Sequence, residues 1–212
     1  MTLCMGEDQT VILGGKEGLI GVYKLDSNSL ITMQSQQYFN NNTVMCIRKM
    51  QGAKNLYAFA TLCYGVSIIE VNAKQKTVSP LNRFLRGKTV RDMCEFSKGK
   101  VICGASYQNK NEIWLVDYLN EKERKLCDTF GSVLTIRRLP ESLFPNLYLI
   151  REKEWLCVFN LKYRYYTRIM KIPLFIYRQQ KFPTNQYMEL LPLENSTYQD
   201  IFAVMIWGND GR

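Results

Sequence analysis

Among groups that could do chemistry, the carboxylates come first, because paired acids serve as general acid and base. Three close pairs occur: Glu7 with Asp8, Asp92 with Glu95, and Glu152 with Glu154. Glu152 and Glu154 flank Lys153, an alternation that predicts a solvated hairpin turn. Asp92 alternates with Val90 along a predicted strand, where its carboxylate could cap a backbone group near the axis of a sheet array. Gly87-Lys88-Thr89 has the tail of a phosphate-binding loop. That loop needs a glycine where Asn82 stands and a helix where Val90 to Phe96 reads as strand, so a basic turn is expected instead. Gly14-Gly15-Lys16-Glu17-Gly18 lacks G-x-G-x-x-G spacing and reads as a hairpin turn whose glycines supply positive φ. No catalytic residue is assigned.

The chain contains no histidine. Ser–His–Asp and Cys–His nucleophiles are thereby excluded, as are imidazole metal ligands and a histidine charge switch. Its seven cysteines are Cys4, Cys46, Cys63, Cys94, Cys103, Cys127 and Cys157, and no two are closer than nine residues. Without a C-x-x-C pair, neither a structural zinc site nor a dithiol redox site is expected, and no metal or cofactor is assigned. Neighbours such as Leu62 and Tyr64 around Cys63, or Leu156 and Val158 around Cys157, predict buried thiols in a reducing compartment. No basic and apolar leader and no membrane-length apolar run is present, so a cytoplasmic location is expected.

Charge is unevenly placed. The 212 residues carry a net +9, and residues 151–181 hold eight basic and two acidic residues. At the centre lies Lys162-Tyr163-Arg164-Tyr165-Tyr166-Thr167-Arg168-Ile169-Met170-Lys171. Read as one strand, it puts Lys162, Arg164 and Arg168 on one face and Tyr163, Tyr165, Thr167 and Ile169 on the other. Lys162, Arg164, Arg168 and Lys171 are the candidate anion-binding residues, for RNA or an acidic phospholipid. The competing reading is a charged outer strand that resists edge pairing. Ile172 to Tyr177 reads as an apolar connector or an exposed peptide-docking surface.

Stepping along the chain, short β-branched and aromatic runs recur between Gly, Asn, Ser and Lys turns. Tyr23, Ile69, Val116 and Phe159 hold equivalent places in four such runs, spaced by 46, 47 and 43 residues. Thr43 to Arg48, Thr89 to Cys94 and Ser132 to Arg137 repeat at spacings of 46 and 43. Further runs lie between these markers: Val11 to Gly14, Leu56 to Thr61, Lys100 to Ala105 and Leu147 to Ile150. Outer runs follow: Ser29 to Met33, Gln75 to Val78, Arg124 to Phe130 and Arg164 to Met170. Four short strands per period of about 45 residues are the signature of a β-propeller blade.

On this pattern, and on Gly18 to Leu25 and Glu112 to Asp117, the chain resembles the WD-repeat propellers. It departs from them in having neither a Gly-His nor a Trp-Asp dipeptide; the latter position reads Tyr23-Lys24, Ile69-Glu70, Val116-Asp117 and Phe159-Asn160. The family's Asp–His–Ser–Trp network therefore cannot form. Another divergent propeller class, such as the citron-homology type, fits the same period. The expected fold is all-β: four four-stranded antiparallel blades (about 1–38, 39–84, 85–130 and 131–172) and half of a fifth (173–212) in one domain. The half blade rests on Tyr187 to Leu191 and Ile201 to Trp207, and implies a ring completed by further chain or by a partner pairing at open sheet edges. The resemblance implies a non-catalytic scaffold for protein or peptide partners. An anionic-ligand adaptor using residues 162–171 is the second expectation.

Overall fold

Alternating apolar side chains interrupted every few residues by turn formers leave the backbone one economical solution, pairing with its immediate neighbours. The computed structural model shows that solution. It describes residues 1–6, 9–25, 31–39, 42–51, 55–72, 77–142, 144–171, 186–192 and 202–208. The first blade is β1 (Thr2–Met5), β2 (Thr10–Gly14), β3 (Leu19–Leu25) and β4 (Ile31–Tyr38). The second is β5 (Val44–Lys49), β6 (Leu56–Thr61), β7 (Gly65–Asn72) and β8 (Thr77–Phe84). The third is β9 (Thr89–Ser97), β10 (Lys100–Tyr107), β11 (Lys110–Asp117) and β12 (Lys122–Asp128). The fourth is β13 (Thr135–Arg138), β14 (Leu147–Arg151), β15 (Trp155–Asn160) and β16 (Tyr165–Lys171). A two-stranded unit, β17 (Gln186–Pro192) and β18 (Phe202–Gly208), follows. Every sheet is antiparallel, and its strands stand side by side in chain order. The fold is the all-β array of blades that the period predicts.

No blade could bury its two faces alone, so the core lies between blades. Ile12 and Ile20 of the first blade meet Ile47 and Phe59 of the second. Ala60 and Ile68 meet Val90, Met93 and Cys103 of the third, whose Ile102 and Ile113 meet Tyr148 and Phe159 of the fourth. Each of the valine, isoleucine, methionine and phenylalanine side chains among them contributes about 1.5–3 kcal/mol by leaving water. First strands of successive blades touch one another, β1 with β5, β5 with β9 and β9 with β13, so they form the inside of the array.

One position sets how closely blades approach. On the second strand, Gly14, Ala60 and Gly104 lie opposite Ile20, Val66 and Ile113 of the third. A Cβ on Gly14 would stand 2.5 Å from Val44 of the next blade, and one on Gly104 would stand 2.2 Å from Val133. Val90 shares a core with Ala60 in the same way. Small residues are required there because a valine of the following blade occupies the space.

Each outer strand joins its blade through one bulge, between Val22 and Tyr23, Ile68 and Ile69, Ile113 and Trp114, and Leu156 and Cys157. A bulge adds twist and turns the free edge away from flat pairing.

Several local expectations change. The glycine turn after β2 is a short 3-10 turn, Lys16–Gly18, in which positive φ falls on Glu17 and Gly18. Gly14 is small because of Val44, and its own φ is not the reason. Cys63 is exposed with φ 79, because the turn between β6 and β7 needs a left-handed residue there. Cys46, Cys103 and Cys157 are buried as expected, and burial pushes the Cys46 thiol up to about 12. The outer strands lie later than the apolar runs imply: β4 reaches Tyr38 and β8 reaches Phe84. They are solvated on one side, which weakens the apolar signal. Glu7, Asp8, Ile172 to Tyr177 and residues 209–212 lie outside the described residues.

Candidate functional site

Three carboxylates, Asp92, Glu112 and Glu152, are 4%, 6% and 2% exposed. A carboxylate so placed must be paired, and each has recruited hydrogen-bond donors from more than one element.

Asp92 sits in β9 among the first strands. Its Oδ1 accepts from Arg48 NH2 of β5 at 2.7 Å. Its Oδ2 accepts from the Ile136 backbone N–H of β13 at 3.1 Å and from Arg137 NH1. Arg48 Nε also donates to Met93 O, and Arg138 NH1 donates to Phe96 O. One carboxylate thus ties three blades together, and the backbone cap expected of Asp92 is the Ile136 N–H. Glu95 lies apart in its bonding, accepting from the Gln51 backbone N–H at 2.7 Å. Oxygens held by guanidinium groups and backbone make a structural clamp here.

Glu112 is the third residue of β11, two positions before Trp114. Its Oε2 accepts from Lys88 Nζ at 3.0 Å and from Trp114 Nε1 at 2.8 Å, and Lys125 Nζ of β12 stands 3.1 Å from Oε1. Lys88 also lies 4.8 Å from the Trp114 ring centroid. The basic turn Gly87-Lys88-Thr89 therefore anchors the segment leading into blade three. Burial alone would raise the carboxyl, but hydrogen bonds from Lys88, Trp114 and Lys125 outweigh it and hold it at about 2. A folded value below the ordinary 4.5 gives stability that is present above pH 4.5 and lost as pH falls toward 2. The contribution is about 2–3 kcal/mol at neutral pH. Denaturant midpoints of Glu112→Gln should therefore lie below wild type at pH 7 and converge with it near pH 2. Parallel pH profiles for the two proteins would contradict this account.

Glu152 corrects the sequence reading. The expected solvated turn residue is a buried hub. Its Oε1 accepts from the Gly131 N–H at 2.7 Å and from Tyr166 OH at 2.8 Å. Its Oε2 accepts from Arg168 Nε at 3.2 Å and NH2 at 3.0 Å. The Arg168 guanidinium also lies 4.7 Å from the Phe130 ring and 4.9 Å from the Trp155 ring. Blades three and four thus share one device: a buried carboxylate grips the incoming segment and the outer strand, with a cation against a tryptophan.

This geometry divides the four candidate anion-binding residues. Arg168 is bound to Glu152. Lys162 and Arg164 lie in the turn before β16 and not in a strand, because Arg164 adopts φ 52 and the strand begins at Tyr165. Lys162 stands 5.3 Å from the Tyr163 ring centroid. Lys171 closes β16, paired across from Trp155. The expected single face of Lys162, Arg164 and Arg168 does not form, since the hairpin turn breaks period two. All four residues are exposed, Arg168 being the one whose guanidinium is held by a buried carboxylate.

A groove of about 700 Å3 lies elsewhere, along the outer strand of blade two. It is lined by the unbroken run Pro80 to Arg86, by Phe39 and Ser67, and by Glu121 and Glu123 of blade three. Because strand side chains alternate, an unbroken run means that the strand's edge itself borders the groove. Leu81 is exposed there, while Arg83 stacks 3.9 Å from the Tyr64 ring centroid. Glu123 accepts from the Leu85 N–H at 2.7 Å, and Glu121 accepts from Asn82 Nδ2 at 3.1 Å.

The chain matches no protein-family model, and no curated protein matches it. Among the described residues no group of three or more Cys, Asp or Glu is arranged to hold a metal, and no helix is long and apolar enough to cross a membrane. Sequence reading missed Glu112, Arg48, Arg137 and the groove. The available signal for Glu112 was its place two residues before Trp114, at the start of a strand.

Proposed function

We propose that the chain is a non-catalytic scaffold of a divergent WD-repeat-like kind that binds an extended peptide of a protein partner. The observation that carries this reading is the groove between β8 and blade three. Its volume suits several side chains, and its lining mixes Leu81 and Pro80 with Arg83 and Arg86 on one side and Glu121 and Glu123 on the other. Such mixed walls favour a peptide with alternating character. Pro80 supplies no N–H to a further strand, so a partner would bind through side-chain contacts more than through an added ladder. Inter-blade clamps at Asp92 keep the frame rigid, which lowers the ordering cost of binding. Seven unpaired thiols agree with a reducing, cytoplasmic setting.

The test is selection from a displayed peptide library against wild type, with Leu81→Asp/Arg86→Glu as counter-target. Enriched peptides should lose at least tenfold in affinity for the double variant while its melting temperature stays within about 2 °C of wild type, as expected for surface changes. Equal binding to both proteins sinks the groove assignment. Binding that ignores the groove variant, collapses with salt and disappears on charge reversal of Lys162 and Arg164 replaces it with the anionic-ligand reading.

A further inference from the structure

Arg151 stands apart from every other charged residue described. It is 0% exposed, and its Nε, NH1 and NH2 atoms are all buried without a hydrogen-bond partner. Asp92, Glu112 and Glu152 are each met by two or more donors, and their arginine and lysine partners keep contact with solvent. Burial lowers the pKa of Arg151 and no neighbouring charge offsets it. A guanidinium does not escape by giving up its proton, so its charge must be answered by an acceptor.

The fold supplies a second, independent sign. Arg151 lies opposite Leu156 on the third strand, the place that Gly14, Ala60 and Gly104 hold opposite Ile20, Val66 and Ile113. In the first three blades that place is small so that Val44, Val90 or Val133 of the next blade can fill it. Tyr148 and Ile150 face blade three, so period two turns Leu147, Leu149 and Arg151 to the opposite face. That face is the one followed by β17, which contacts β13. A long cation replaces the small residue at the junction that β17 follows.

We propose that Arg151 is the receptor of a buried oxyanion site on the face of blade four that is turned away from blade three. A carboxylate or phosphate oxygen pair answers its planar fork in bidentate fashion. The source is either a small anion or a carboxylate side chain of a partner, and both offer the same two oxygens.

The experiment is a thermal melt of the full chain and of Arg151→Met, titrated with phosphate, acetate or a hexaglutamate peptide at ionic strength fixed with chloride. Wild type should gain about 5 °C or more at saturation, and Arg151→Met should not respond. A rise with phosphate or acetate identifies a free-anion site, and a rise with the peptide alone identifies a partner's carboxylate. Arg151→Met removes an unpaired buried charge and keeps the volume, so it should melt no lower than wild type when no oxyanion is present. Arg151→Lys, a second probe should the methionine variant fail to fold, should need at least tenfold more anion for half the effect. A flat wild-type response to all three ligands, or an equal response in the variants, overturns the proposal.

Discussion

Asp92→Ala should lose about 3–5 kcal/mol of stability, the cost of breaking a buried ion pair by removing one partner. The loss is large because the carboxylate answers three donors from two neighbouring blades: Arg48, the Ile136 N–H and Arg137. Alanine leaves two arginines facing each other beside an unpaired amide. Urea denaturation measures the effect, and the midpoint should fall without a change in slope if the native array persists. Asp92→Asn keeps an oxygen for the Ile136 N–H and should recover part of the loss. Equal midpoints for wild type and Asp92→Ala would falsify the clamp.

A comparable loss is expected from Gly65→Ala, for a different reason. Gly65 adopts φ +75 as the first residue of β7, and its added Cβ would stand 2.1 Å from the Phe84 carbonyl oxygen and 2.4 Å from that of Leu85. Those are backbone atoms, so no side chain can swing aside. Strain of the left-handed conformation and the clash together cost on the order of 2–6 kcal/mol. Gly87→Ala separates the two parts. Gly87 has φ +80 with nothing within 4 Å of its Cβ position. It should lose only about 1–2 kcal/mol, the left-handed cost alone. Similar melting temperatures for the two variants would show that space around Gly65 is not what requires glycine.

The blades were legible because period-two patterning and turn residues are local signals. Val66 to Val71 and Lys100 to Ala105 announce buried strands without reference to anything distant. Asp92 was legible as a cap because its alternation with Val90 placed it inside the array. Glu152 was not legible. Glu-Lys-Glu usually marks solvent, and its partners Gly131, Tyr166 and Arg168 are separated from it by 14 to 21 residues. Arg164 misled in the same way, since no propensity announces that it takes the left-handed place in a tight turn. Arg151 could have been found by aligning it with Gly14, Ala60 and Gly104, where its size is anomalous. The described part of the basic stretch therefore divides into an arginine held by a buried carboxylate, a buried arginine without a partner, and residues of an exposed turn and strand end. Composition alone sums these three environments into one number.

The strands of each blade stand in chain order, and the Asp92 clamps join residues only 44 and 45 positions apart. No contact described above requires the chain to close a loop much longer than one repeat. Loop-closure entropy is small at that length, and local topology folds quickly. Each blade can form as its last strand leaves the ribosome, and the next docks on a face already built. The inside strand that carries Asp92 then acts as a checkpoint in time. Arg48 waits, its charge unanswered, until the third blade emerges to meet it.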